Sequence, residues 1–249
     1  MTCGAPSTLA EARTDQPADD LGAARFYGRR KGRRLRQGRQ RLVEELLPRL
    51  AVPLPEPGVL LDPRRLFAAP VNDVWMEIGF GAGEHLLAQA RQHPDVGFIG
   101  CEPYLNGIAA LLPAIAEEGL DTVRIVPDDA RLWLPALAPA SLGRVFVLFP
   151  DPWPKARHHE RRLVSPVTIR ELARVLRPGA ELRLASDHAG YIRWMLEHLT
   201  RETSPFGWLA ARPSDWRARP ADGFVTRYEE KAIERGVPCV HLRFVRKEG

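Results

Sequence analysis

Three glycines at alternate positions follow a short apolar run and precede a stretch with helical periodicity. The residues there are Glu77, Ile78, Gly79, Phe80, Gly81, Ala82 and Gly83. Glycine lets a chain turn tightly and lets its backbone approach a ligand closely. Glu102 lies 25 residues after Glu77, at the end of the next apolar run, where a carboxylate can accept hydrogen bonds from both ribose hydroxyls. The pattern predicts a site for a cofactor that contains adenosine.

Two cofactors fit this pattern, a dinucleotide and S-adenosylmethionine. A carboxylate at Glu77 would repel a pyrophosphate and favour the ammonium and sulfonium groups of a methionine moiety. The spacing GxGxG instead of GxGxxG points the same way, and without a GK[ST] step a nucleoside-triphosphate P-loop is excluded. Asp128 and Asp129 follow the third apolar run. Either can accept a hydrogen bond from an adenine amino group, and the residues alone leave open which one does.

A stiff segment rich in aromatic and cationic residues follows the fourth apolar run. Prolines at three alternate positions exclude a helix there, so Asp151 between them can be held in a fixed geometry. Trp153 offers a flat face for stacking on a base. The cations of the segment suit phosphate contacts: Lys155, Arg157, Arg161 and Arg162. Asp187, after the fifth run, adds a carboxylate on the same rim or, alternatively, caps a helix.

The positive charge of the chain is concentrated near its beginning. Nine basic residues and no acidic one lie between Arg25 and Arg41, in a chain of net charge +5, so the remainder would carry −4. A cluster this dense suits the neutralisation of nucleic-acid phosphates; the alternative is a solvated tail. Phe26 and Tyr27 add rings that either stack on bases or anchor the arm to the domain.

Strand and helix patterns alternate through the rest of the chain. Strands are predicted at 74–78, 96–101, 122–126, 144–149, 181–185, 225–228 and 239–245. Helices are predicted at 42–50, 84–93, 105–118, 166–176 and 191–199. This alternation predicts an α/β fold with a mostly parallel seven-stranded sheet and helices on both faces. Ligands of such sheets bind beyond the carboxyl ends of the strands, where the candidate residues fall.

Length and composition narrow the function classes. The 249 residues, 45% of them hydrophobic, suit one domain with extensions. We expect residues 1–24 to be disordered, 25–57 to form the basic arm and a helix, and 58–249 to form the main domain. Three cysteines without a CxxC pair argue against a disulfide framework and a zinc site. No apolar run is long enough to span a bilayer, and no signal peptide is recognisable, so we expect a cytoplasmic protein without metal.

The run FPDPWPKARHHERRL, downstream of EIGFGAG, resembles the bacterial tRNA (guanine-N7)-methyltransferases. The resemblance covers about residues 25–245 and includes FYGRRKG, CEPY, ASDH and TRYE. It implies a Rossmann-like class I methyltransferase that uses S-adenosylmethionine and acts on G46 in the variable loop of tRNA. Glu160 departs from the family pattern, because many members carry Lys or another non-acidic residue there.

The resemblance also implies a role for individual residues. It makes Asp151 the catalytic residue and selects Asp129 over Asp128. The implied cofactor-binding residues are Glu77, Gly79, Gly81, Gly83, Glu102, Asp129 and Asp151. The implied substrate-binding residues are Lys155, Asp187, Thr226, Arg227, Tyr228 and Glu229.

Two other functions compete with this hypothesis. A class I methyltransferase acting on another RNA or on an exocyclic amine would share the glycine loop, and an RNA-binding protein without catalysis would share the basic arm. The target atom of the first hypothesis suits the sequence, because guanine N7 carries a lone pair and no proton. No general base is then needed, and Asp151 and Asp187, with Glu229 behind them, can hold the guanine N1–H and N2–H₂ donors. Monomer and homodimer are both compatible with the sequence.

Overall fold

Seven strands form a single sheet in the computed structural model of the chain, which describes residues 26–248. The first five pair in parallel, and the seventh lies antiparallel between the fifth and the sixth, so only the seventh strand runs against the others. The order across the sheet is β3-β2-β1-β4-β5-β7-β6. The strands are β1 (Asp73–Ile78), β2 (Val96–Cys101), β3 (Val123–Val126), β4 (Leu142–Leu148), β5 (Leu176–Ser186), β6 (Phe206–Trp208) and β7 (Val240–Arg246).

Helices cover both faces of this sheet. Because successive side chains of a strand point to opposite faces, β1 places Trp75 in the core under α3 and α4, and places Met76 in the core under α6 and α7. The helices are α1 (Gln37–Glu45), α2 (Leu47–Leu50), α3 (Glu84–Gln92), α4 (Leu105–Glu118), α5 (Ala130–Trp133), α6 (Pro166–Val175), α7 (Ala189–Leu199), α8 (Ser214–Arg217) and α9 (Arg227–Glu234). No helix within residues 26–248 is both long and apolar enough to cross a membrane.

The predicted α/β fold, with a seven-stranded and mostly parallel sheet, is confirmed. One predicted strand is wrong: residues 225–228 lead into α9 instead. Thr226 caps that helix, its Oγ1 accepting from the amide of Glu229 at 3.2 Å. The sequence T-x-x-E is a helix-start signature that outweighs the β-branched pair Val225-Thr226. The seventh strand is β6, a three-residue edge strand too short to leave a period-two pattern.

The basic arm leads into the domain without a break in packing. The predicted helix over 42–50 divides into α1 and α2, and the amide of Val52 then donates to the carbonyl of Ile125 in β3 at 2.8 Å. Leu50 is buried in the same core as α3 and α4. The segment before residue 58 therefore packs into the same core as the main domain. The predicted boundary between residues 25–57 and 58–249 stays a prediction. The expected disorder of residues 1–24 lies outside the described residues.

Candidate active site

A cavity of about 450 Å³ opens at the carboxyl ends of the parallel strands. It lies where β1 has β2 on one side and β4 on the other, which is the point where the strand order reverses and where α/β sheets bind ligands. Its wall is built from the basic arm, the glycine loop, the ends of β2 and β3, the segment after β4 and the start of α9. Key lining residues are Gly79, Gly81, Glu102, Asp129, Asp151 and Tyr228.

The glycine loop adopts a backbone that only glycine takes without strain. Gly79, Gly81 and Gly83 have φ angles of 77°, 61° and 86°. A Cβ at Gly83 would come within 2.6 Å of the Leu111 side chain, and one at Gly107 would come within 2.3 Å of the Gly81 carbonyl. Helix α4 therefore packs directly against the loop, and the loop backbone forms the floor of the cavity.

Glu102 at the end of β2 holds the loop in place. One carboxylate oxygen accepts from the amide of Gly81 at 2.8 Å and the other from the amide of Tyr104 at 2.9 Å. Burial raises the pKa of Glu102 above its ordinary value, against the lowering effect of these two hydrogen bonds, and the charges of Asp151 and Glu77 raise it further. Each oxygen keeps a second lone pair with which to accept from a ligand hydroxyl.

Glu77 lies behind the loop and not in the cavity wall. It is 3% exposed, and its Oε2 lies 2.8 Å from Nδ1 of His85 in α3. No function was predicted for His85. It follows Glu77 by eight residues, so Glu77 lies at the end of the strand before the glycine loop and His85 lies in the helix after it. Gln89 continues the network, 3.3 Å from His85 and 2.8 Å from the carbonyl of Asp222. The cofactor role of Glu77 stays a prediction.

Asp128 and Asp129 both line the cavity but have different partners. Asp129 is buried, caps α5 and holds the Arg131 guanidinium at 2.6 Å. Asp128 accepts from the Arg30 side chain of the arm at 2.8 Å. Asp128 therefore fastens the arm, and the cofactor role that the resemblance implies for Asp129 stays a prediction.

The segment after β4 is fixed by its backbone. Phe149 and Trp153 have φ angles of 51° and 41°, a strained conformation for aromatic residues that surrounding structure must enforce. The amide of Phe149 donates to Ala185 at 2.8 Å, and Arg162 donates to the carbonyl of Pro152 at 2.9 Å. Arg162 is 3% exposed, so the predicted phosphate contact at this position is wrong; the cation clamps the loop from inside.

Asp151 lies between two cavities. It lines the 450 Å³ cavity and also a second, adjoining one of about 330 Å³, which shares Phe149, Pro150 and Tyr228 with the first. Within residues 26–248 its carboxylate makes no hydrogen bond, and desolvation raises its pKa above the ordinary value. The Asp151 carboxylate is therefore free to accept a hydrogen bond from a ligand in either cavity.

Two of the predicted substrate residues join Asp151 at the second cavity. Asp187 and Tyr228 both line it, and Tyr228 also lines the first cavity and stacks on Phe149 with ring centroids 6.5 Å apart. The phenol is desolvated and faces the charge of Glu102, and both effects raise the pKa of Tyr228. Asp187 does not cap α7, because His188 does.

The other predicted substrate residues lie elsewhere. Glu229 is buried and paired with Arg219 at 3.0 Å, on the side of α9 that faces β7. Arg227 is exposed and paired with Glu84 at 2.9 Å, and Thr226 caps the helix. Lys155 is exposed and lines neither cavity. A substrate role for these four residues stays a prediction, and for Glu229 it would require the pair with Arg219 to separate.

The basic arm crosses the mouth of the first cavity. Asn106 at the start of α4 holds the arm backbone twice, by accepting from the amide of Gly32 at 2.8 Å and by donating to the carbonyl of Arg33 at 2.7 Å. Phe26 and Tyr27 then form part of the cavity wall. Sequence reasoning missed Asn106, because an isolated Asn in a helix carries no recognisable signal.

Comparisons with known proteins agree with this geometry. A family model described as a putative methyltransferase matches residues 71–242. The tRNA (guanine-N(7)-)-methyltransferase of Rhodospirillum rubrum is 51% identical over 235 residues, covering 94% of this chain and 91% of that protein. The protein of the same name from Paramagnetospirillum magneticum is 51% identical over 219 residues, covering 88% and 91%.

A solved structure supports the fold alone. The 16S rRNA methyltransferase KamB superposes with a TM-score of 0.53 at 16% identity, over 72% of this chain and 89% of that one. Among residues 26–248 no group of His, Cys, Asp and Glu is arranged to hold a metal ion. On identity and coverage, the chain belongs to the tRNA (guanine-N(7)-)-methyltransferase family.

Proposed function

We propose that this protein transfers a methyl group from S-adenosylmethionine to N7 of guanine in tRNA, at G46 of the variable loop. The observation that carries the proposal is the position of Asp151 between two adjoining cavities. One cavity has the features of a cofactor site, and the other has acceptors for a base. The names of the relatives support tRNA and guanine N7, whereas G46 rests on the family resemblance.

The first cavity fits S-adenosylmethionine. Its floor is glycine backbone that a Cβ would obstruct, at Gly107 against Gly81. Glu102 and Asp129 follow β2 and β3, where they can accept from ribose hydroxyls and from the adenine amino group. When bound, the cofactor supplies an electrophilic methyl group on a sulfonium: the N7–C bond forms as the S–C bond breaks, and no proton leaves N7.

The residues of the chain then have a positioning and electrostatic task. N7 attacks with its own lone pair, so no side chain has to remove a proton, and the rate depends on orientation and on stabilising charge. Asp151 and Asp187 can accept from guanine N1–H and N2–H₂ in the second cavity. Both carboxylates also stabilise the positive charge that the ring gains.

The basic arm supplies the contacts with tRNA phosphates. Its cations from Arg29 to Arg41 are exposed, and the arm backbone is fastened beside the first cavity. A tRNA bound along the arm would therefore lie across the opening of the first cavity, which shares Asp151 and Tyr228 with the second. Trp153, whose ring is part of the first cavity wall, adds a surface against which a base can pack.

The test is product analysis. Unmodified tRNA and labelled S-adenosylmethionine are incubated with the protein, and the nucleosides are identified after digestion. We expect 7-methylguanosine, and none from a matched transcript with adenosine at position 46. Label at another guanine would contradict the G46 site, label on another atom would contradict the reaction, and binding without label would leave an RNA-binding protein.

A further inference from the structure

Helix α9 presents one face to the second cavity. Tyr228, Lys231 and Arg235 are spaced at three and four residues and lie on that face, and all three line the cavity beside Asp187. Glu229 lies on another face, against β7. The family resemblance assigned residues up to Glu229, so Lys231 and Arg235 form a part of the site that it did not cover.

Arg235 is held in place from two sides. Its Nε donates to the carbonyl of Lys231 at 2.9 Å, and its Nη2 donates to Oδ2 of Asp187 at 2.8 Å. The other oxygen of Asp187, Oδ1, makes no hydrogen bond within residues 26–248. The guanidinium is anchored to helix backbone, so it fixes one oxygen of the carboxylate and leaves the other to accept from a ligand in the cavity.

We infer that Arg235 is a positioning residue that orients Asp187 toward the N1–H and N2–H₂ edge of the target guanine. This inference rests on the proposed function. Arg235 acts on the binding of the base and not on the tRNA backbone. Its Nη2 donates to the Asp187 carboxylate, and its Nε donates to the helix carbonyl of Lys231.

The acceptors of the cavity support this role. Asp151 and Asp187 both line it, together with Lys231, Glu234 and Arg235. Arg235 occupies Oδ2 of Asp187, so Oδ1 is the oxygen that Asp187 offers to a ligand. Carboxylate acceptors suit guanine, whose N1 and N2 both donate, and would oppose adenine, whose N1 is an acceptor.

The test is a double-mutant cycle on tRNA methylation with Arg235→Ala, Asp187→Asn and the double variant. We expect Arg235→Ala to lower kcat/KM for tRNA about fivefold, the effect of losing one partly exposed charge-assisted contact, with KM for the cofactor unchanged. In the Asp187→Asn background the same change should have no further effect. Arg235→Lys should lose about twofold.

Arg91→Ala is the matched control. Arg91 in α3 pairs with Glu118 in α4, neither residue lines the two cavities, and the side chains of this pair are 50% and 35% exposed, against 61% and 30% for Arg235 and Asp187. We expect unchanged kcat/KM and an unfolding midpoint close to that of Arg235→Ala. A loss equal to that of Arg235→Ala would overturn the inference, because a surface ion pair would then suffice to explain it.

Two further outcomes would overturn it. Additive losses in the cycle would show that Arg235 acts without Asp187. A decrease of about 0.7 in the slope of log(kcat/KM) against log salt would place Arg235 on a tRNA phosphate, whereas a positioning role leaves the slope unchanged. If the wild type forms 7-methylguanosine, the proposed function stands whatever these variants do; if it does not, that function fails before Arg235 is tested.

Discussion

Asp151 is positioned by its backbone, since no side chain within residues 26–248 bonds its carboxylate. The strained torsions of Phe149 and Trp153 and the buried Arg162 fix the segment around it. Proline at alternate positions predicted this rigidity from the sequence. The role of Arg162 was not predictable, because the sequence does not distinguish the inward-pointing Arg162 from its neighbour Arg161, which lines the first cavity.

Asp151→Asn should lower the single-turnover methylation rate by roughly a hundredfold, while tRNA and cofactor still bind. The Asn side chain keeps the shape of Asp but carries no charge, and its NH₂ group would face the N–H donors of guanine. The expected loss of rate is comparable to that from removing one electrostatic contact at a transition state. Glu160→Gln removes an exposed acid of the same segment and serves as control. A near-wild-type rate for Asp151→Asn would remove Asp151 from the mechanism.

The acid limb of the rate should reflect the raised pKa of Asp151. The ionised form is the active acceptor, so activity should fall as the pH drops through a value above 3.8, the ordinary pKa of this carboxyl. The pKa of Glu102 is also raised. The pH dependence of the single-turnover rate of Asp151→Asn distinguishes the titration of Asp151 from that of Glu102. We expect its residual rate to be flat over that pH range; a persisting limb would assign the titration to another group.

At the scale of elements, strand and helix patterns located six of the seven strands and every long helix, because buried runs and amphipathic faces are local signals. Helix α9 was missed although Thr226 and Glu229 form a local helix-start signature, and the other exceptions were non-local. β6 is held as an edge strand by pairing with β7, and the conformation of the arm depends on Asn106, more than 70 residues away. Sequence composition showed that the arm is basic, but not that it forms a cavity wall.

Neutralising Arg29, Arg30, Lys31 and Arg33 together should weaken tRNA binding and flatten its dependence on salt. Each lost phosphate contact reduces the slope of log K against log salt by about 0.7 to 0.9. Because Arg29 lines the first cavity and Arg30 pairs with Asp128, we also expect weaker cofactor binding. Titrations at several salt concentrations check both.

The matched control for the arm is neutralisation of Arg39 and Arg41 in α1, which are also exposed but do not line the first cavity. We expect this variant to change the tRNA slope without changing the dissociation constant of the cofactor. An unchanged salt slope in the fourfold variant would show that the arm does not touch phosphate.

At the scale of the whole molecule, an ionic network that is buried at Arg183 and partly exposed at Asp222 ties the segment before α9 to the sheet. Arg183 in β5 donates to both oxygens of Asp222 at 2.8 Å and to Glu181 at 2.9 Å. Asp222 precedes α9, so this network fixes the segment that carries Tyr228 and Arg235. No spacing rule links residues 183 and 222, and the pair could not be predicted from the sequence.

Asp222→Asn should destabilise the protein by about 2 kcal/mol at pH 7, a value reduced for partial exposure from that of a fully buried pair. Its hydrogen bonds with Arg183 and the nearby charges lower the pKa of Asp222 to about 2, against the opposing effect of desolvation. A lowered pKa gives stability that is complete above the unfolded value of about 4 and lost toward pH 2.

The difference between wild type and Asp222→Asn should therefore shrink as the pH falls below about 4. Urea unfolding at pH 7 and pH 3 measures it, and Asp121→Asn, an exposed acid outside the network, should stay within about 0.5 kcal/mol of wild type. A difference independent of pH would mean that the pair does not stabilise the fold through its charge.

The rigid proline segment also determines which partner must deform during catalysis. A loop held by strained torsions and a buried guanidinium does not move to reach a base inside a folded tRNA. If the reaction is the one proposed, the nucleotide has to leave its stack and enter the protein, and the unstacking energy of a few kcal/mol is borne by the RNA. The ease with which each tRNA releases that base would then rank the substrates of the enzyme.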